Sequence, residues 1–243
     1  MTAPHQRILV ALDTPEPEQA RTLVRSLAGR VGGFKIGLEL FTAAGPAIVV
    51  ETREAGAEVF LDLKLHDIPN TVAGAAAAAG RLGVSYFTLH ASGGPTMIER
   101  GASAARESAN AAGHPAPLAL AVTVLTSHDD AELDAIGLRG PCGDAVARLA
   151  TLARDHGAGG LVCSPLEIER VRDIWREGTL VVPGIRPRDS SAVRDDDQSR
   201  VATPGRAVAD GADRLVIGRP ITRAADPAVA ADEIAADIER ETR

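Results

Sequence analysis

The stretch "FLDLKLHDIPNT" (60–71) sets Asp62, Lys64 and Asp67 at the end of an apolar, strand-like run that stops at Pro69. Charges in such a place cost stability unless they pair or perform chemistry. Side chains two apart on a strand share a face, so Asp62 and Lys64 are expected to project together. A carboxylate beside an ammonium favours its charged form. That suits an acid; a Schiff-base lysine would want an apolar or cationic setting. Lys35, within "GGFKIGLEL" (32–40), is a second cation among apolar residues. The plain alternative for these groups is a structural ion pair.

A second set of residues suits anion capture. Arg186 opens "RPRDSSAVRDDDQSR", part of a segment at about 184–200 that is rich in Arg, Asp and Ser and lacks apolar periodicity. Loops of that length inside a compact domain are usually functional, and a mobile phosphate-gripping lid is expected here. "RLVIGRP" then supplies Gly218 and Arg219. A glycine lets backbone amides approach a ligand closely, and a guanidinium forks onto two phosphate oxygens.

The elements that must position these residues recur along the chain. Short β-branched apolar runs fall at 7–13, 32–40, 57–64, 84–90, 117–125, 159–164, 179–185 and 213–219. Their nearly continuous hydrophobicity suits strands covered on both faces of a parallel sheet. Helix-like stretches at 16–29, 71–83, 141–157 and 226–241 alternate with them. Eight βα units in one 243-residue chain with no linker predict a single α/β domain, a closed (β/α)8 TIM barrel over residues 1–243. A doubly wound open sheet is the alternative. In such a barrel the functional groups sit at the C-terminal strand ends, and loops 7 and 8 often hold phosphate. Asp13, Asp62, Lys64, Asp67, His90, Thr126, Ser127, Arg186 and Arg219 all follow or end a strand.

Composition narrows the partners. A net charge of −7 and 2% aromatic residues argue against a nucleic-acid or membrane-surface binder, which would show a basic face or stacking rings. Positive charge for an anionic ligand must therefore be local. Cys142 and Cys163 have neither disulfide-framework nor metal-ligand spacing, and read as buried hydrophobes. With no signal peptide or membrane-length apolar run, a cytoplasmic protein is expected. His66 is left open between packing or hydrogen bonding and chemistry, His90 reads as a structural histidine before a catalytic one, and Trp175 reads as a core or interface residue.

The motifs "ALD" (11–13), "FKIGLELF" (34–41), "DLKLHDIPNT" (62–71), "VTVLTS" (122–127), "VVPGIRP" (181–187) and "IGRPIT" (217–222) run in order along the chain. Together they resemble the orotidine 5′-phosphate decarboxylases of the shorter bacterial type, with no departure at a motif position. The resemblance implies decarboxylation of orotidine 5′-monophosphate to uridine 5′-monophosphate, without metal or cofactor, in a homodimer with shared sites. It implies Lys64 as proton donor to pyrimidine C6, with Asp62 beside the departing carboxylate. Asp13 and Lys35 would hold ribose hydroxyls, while Asp67 and Thr71 would reach into the partner's site. Thr126, with Ser127 beside it, would read the pyrimidine edge. Arg186, Gln198, Gly218 and Arg219 would grip the phosphate. A metal-dependent sugar-phosphate decarboxylase or synthase on the same barrel is the nearest rival, but it would want a carboxylate where the second strand carries Lys35.

Overall fold

The computed structural model describes residues 2–187 and 202–242. Eight parallel strands close on themselves in chain order. They are β1 (Ile8–Ala11), β2 (Gly33–Gly37), β3 (Glu58–Leu65), β4 (Tyr86–His90), β5 (Leu118–Val122), β6 (Gly160–Val162), β7 (Thr179–Val182) and β8 (Arg214–Ile217). The strands are shorter than their apolar runs because the residues beyond them turn into βα loops. After β2, "LELFTAA" leaves the sheet and forms a helix, Leu38–Ala44. Helices Pro17–Leu27, Pro69–Arg81, Cys142–Asp155 and Pro227–Thr242 occupy four of the expected positions. The longest, Pro95–Ala111, has a periodicity diluted by alanine and serine that gave no expectation from sequence.

Strand alternation divides the apolar residues into two cores. Ile8, Val10, Phe34, Ile36, Leu61, Phe87 and Leu89 point outward and pack beneath the helices. Leu9, Ala11, Phe60, Tyr86, Leu120, Val181 and Val216 fill the barrel itself. Phe60 meets Tyr86 edge-on, with ring centroids 6.1 Å apart, a favoured aromatic geometry. At the N-terminal strand ends the Tyr86 hydroxyl donates to Glu58 Oε2 at 3.2 Å, and Arg214 Nε donates to that hydroxyl at 3.2 Å. Side chains thus fill the barrel from below, and the polar residues of interest lie at the opposite end. Cys142 and Cys163 are buried thiols, and Trp175 is buried in the outer core. No described helix is long and apolar enough to cross a membrane.

One ladder is irregular. β3 and β4 pair in step at Phe60↔Tyr86 and Leu61↔Phe87, then resume at Leu65↔Leu89. Two extra residues of β3 are accommodated where the strand carries Asp62 and Lys64. The ends of the 184–200 segment are tied across its base: Ala202 N donates to Gly184 O at 3.1 Å, and Arg186 N donates to Ala202 O at 2.9 Å. Most of that segment lies outside the described residues.

Candidate active site

A cleft of about 440 Å³ opens at the C-terminal ends of the strands. One wall is charged. Lys35 Nζ lies 2.7 Å from Asp13 Oδ1 and 3.9 Å from Asp62 Oδ2, and Lys64 Nζ lies 2.8 Å from that same Asp62 oxygen. Asp13, Lys35, Asp62 and Lys64 therefore form an alternating chain of charge. The parity of β2 aims Lys35 inward, since Phe34 and Ile36 on either side belong to the outer core.

Asp62 and Lys64 do share the cleft, but not by simple alternation. In the β3 irregularity Lys64 takes φ +50°, the only positive value for a non-glycine among the described residues. A side chain in the left-handed region costs about 1–2 kcal/mol, and such strain collects at functional sites. The Lys64 N–H donates to Thr88 Oγ1 at 2.8 Å. The Thr88 hydroxyl in turn donates to Asp62 Oδ1 at 3.0 Å.

The same cleft is bordered by Arg186, Gly218, Arg219 and Arg223, which supply positive charge and an open backbone, while Val122, Val124 and Val162 are among its apolar residues. Thr126 also lines it. Cations outnumber carboxylates around this cavity, in a chain whose net charge is −7. An anionic ligand carrying a partly apolar group suits that lining.

A sequence model of the family described as orotidine 5′-phosphate decarboxylase / HUMPS matches residues 6–234. The chain is 53% identical over 232 residues to the orotidine 5′-phosphate decarboxylase of Paramagnetospirillum magneticum, covering 95% of this chain and 97% of that protein. This chain belongs to that family. A second relative, the orotidine 5′-phosphate decarboxylase of Thermobifida fusca, is 49% identical over 242 residues, 99% of this chain and 97% of that protein. The crystal structure of the orotidine 5′-phosphate decarboxylase from Lactobacillus acidophilus superposes with a TM-score of 0.83 at 38% identity, covering 95% of this chain and 98% of that one. That from Pyrococcus horikoshii gives 0.76 at 26% identity, over 96% and 99% of the two chains.

Among the residues expected from sequence, Asp13, Lys35, Asp62, Lys64, Thr126, Arg186, Gly218 and Arg219 all border the one cleft. Ser127 is exposed and does not line it. Asp67 and Thr71 are also exposed outside it, and the Asp67 carboxylate accepts the Ile68 N–H at 2.6 Å. Gln198 falls outside the described residues. His90 sits half-buried at the end of β4 with its ring 5.2 Å from that of His66. Burial pushes its imidazole down to about 4, helped by the neighbouring His66 and Lys64.

Three residues of this family member's site escaped the sequence reading. Thr88 is a good strand former in an apolar run, and nothing in "VSYFTLH" marks its hydroxyl. Gly37 follows Lys35 on the same face; a Cβ there would stand 3.0 Å from Lys35 Nζ. Arg223 borders the cleft four residues beyond Arg219, a helical spacing that was legible.

Proposed function

We infer that this chain decarboxylates orotidine 5′-monophosphate to uridine 5′-monophosphate, a step of pyrimidine biosynthesis. The family assignment gives the reaction; the observation that supports its placement is the Asp13–Lys35–Asp62–Lys64 chain in one cleft with Arg186, Arg219 and Arg223. Breaking the C6–carboxylate bond leaves its electron pair on C6, in the ring plane, where the π system delocalises it poorly. In our reading CO₂ departs and the Lys64 ammonium passes a proton to C6. An ammonium already in place stabilises the developing charge more than the ground state, as catalysis requires. Asp62 holds that ammonium and lies beside the departing carboxylate.

The remaining roles follow the chemistry of the walls. Asp13 and Lys35 bind ribose hydroxyls, Thr126 meets the pyrimidine, and Arg186, Gly218 and Arg219 hold the phosphate. Arg223 adds a cation at the same rim. Asp67 and Thr71 serve a second copy of the chain. The exposure of both, next to an Ile68 that leaves 67% of its surface open, supports a homodimer interface there. The reaction as we read it uses no metal or cofactor. The metal-dependent sugar-phosphate reading is disfavoured by the donor set, because β2 turns an ammonium rather than a carboxylate toward Asp62. Two buried thiols suit a reducing cytoplasm.

The test is to mix purified protein with orotidine 5′-monophosphate and follow its ultraviolet absorbance with and without EDTA. Loss of the orotate band at a rate indifferent to chelator is expected. No loss, or turnover that EDTA abolishes, would overturn the reading.

A further inference from the structure

Thr88 is fully buried in β4, two residues beyond Tyr86 and so on the face that fills the barrel. Its ladder neighbour on β5 is Leu120, another interior residue. A hydroxyl among apolar side chains is unfavourable unless its hydrogen bonds are made. Both are made, and both go to the charged wall. The proton goes to Asp62 Oδ1 at 3.0 Å, and the oxygen accepts the Lys64 N–H at 2.8 Å. That N–H belongs to the stretch where β3 has slipped two residues against β4. The hydroxyl therefore takes the place of a ladder partner for a backbone held at φ +50°.

The bond to Oδ1 also decides which carboxylate oxygen serves the lysines. With Oδ1 occupied by Thr88, Oδ2 is the oxygen 2.8 Å from Lys64 Nζ and 3.9 Å from Lys35 Nζ. One side chain thus ties down the Lys64 backbone and the group its ammonium pairs with. Without it, the carboxylate loses the bond that holds Oδ1 and the left-handed turn loses a support.

We propose that Thr88 is a positioning residue, whose hydroxyl fixes the Asp62 carboxylate and the Lys64 backbone in one relation and so places the ammonium in the cleft. This rests on the reading that Asp62 and Lys64 carry the decarboxylation. Thr88 does not line the cleft itself, so its influence falls on turnover rather than on ligand affinity.

The experiment compares Thr88→Val, which is nearly isosteric, and Thr88→Ala with Thr88→Ser, which keeps the hydroxyl. Kinetics with orotidine 5′-monophosphate, calorimetric affinity for uridine 5′-monophosphate and crystal structures are read for each. The donorless variants should lose about ten- to a hundredfold in kcat, the scale of one hydrogen bond to a charged group. Their affinity for uridine 5′-monophosphate should change little, and the Asp62 carboxylate or Lys64 backbone should move. Thr88→Ser should stay close to wild type. If Thr88→Ser fails as badly as Thr88→Val, methyl packing is responsible and the proposal is wrong. Full kcat in the donorless variants, with Asp62 and Lys64 unmoved, would also overturn it. An inactive wild type in which Thr88→Val still displaces Asp62 would strike the decarboxylase reading while upholding the positioning.

Discussion

The Asp62 carboxylate and the Lys64 ammonium meet at 2.8 Å, with 11% of the aspartate side chain exposed against 31% of the lysine. The anion is sheltered and the cation faces the cleft. An ion pair built only for stability gains little from that asymmetry, because the open partner is still screened by water. A proton donor needs it. Lys64→Ala should therefore lower kcat by more than about a thousandfold, combining a lost acid and a lost electrostatic contact. Affinity for uridine 5′-monophosphate should persist through the arginine wall. A mild loss in steady-state turnover would remove Lys64 as the acid.

Arg219 begins the short helix after β8 and borders the cleft beside Gly218. Charge-assisted bonds to phosphate distinguish a nucleotide from its nucleoside. Arg219→Ala should weaken uridine 5′-monophosphate binding by about ten- to a hundredfold while leaving uridine nearly unaffected. Equal losses for the two ligands in calorimetry would place the phosphate elsewhere.

Gly37 offers a case in which stability and activity should part. Its backbone is extended, with φ −94° and ψ −174°, so alanine is accepted without strain. A methyl group there would sit 3.0 Å from Lys35 Nζ and 3.6 Å from Asp13 Oδ1. Gly37→Ala should keep or slightly raise the melting temperature, since the unfolded chain loses freedom. It should also lower kcat/KM several-fold by shifting the Lys35 ammonium. Unchanged kinetics would show that Lys35 has room to give.

The proposed role of Asp67 in the site of a second copy of the chain is tested by mixing. Lys64→Ala and Asp67→Ala proteins, each inactive alone, should regain part of the wild-type rate when their subunits exchange, because one of the mixed sites is intact. No recovery, with exchange confirmed by mass spectrometry, would count against a shared site.

The barrel was legible because eight apolar runs alternating with helix-like stretches leave few other ways to cover both faces of a parallel sheet. The charges of the cleft were legible for the opposite reason: Lys35, Asp62 and Lys64 contradict their apolar surroundings. Thr88 and Gly37 agree with theirs, and a residue that suits its strand gives no sign of a second duty. The two-residue slip of β3 was hidden as well. Strict alternation already places Asp62 and Lys64 together, so the sequence carries nothing that demands the left-handed backbone seen at Lys64. The helix Pro95–Ala111 went unread because small residues bury a helix face without marking it.

His90 gives the acid limb of stability a specific source. Burial is the main reason its imidazole titrates at about 4 in the folded protein, with the charges of His66 and Lys64 next, His128 adding and Asp62 opposing. In the unfolded chain it titrates near the ordinary value of about 6.5. Above that pH neither state is protonated there, and His90 contributes no pH dependence. As pH falls from about 6.5 toward 4 the unfolded chain takes up a proton that the folded chain refuses, so stability declines across that window and levels below it. His90→Gln, which cannot titrate, should lose less stability than wild type between pH 7.5 and pH 5, read as the shift in urea midpoint. Carboxylates that contribute to both proteins cancel in the comparison. Equal shifts in the two proteins would mean that the folded His90 accepts its proton as readily as the unfolded one.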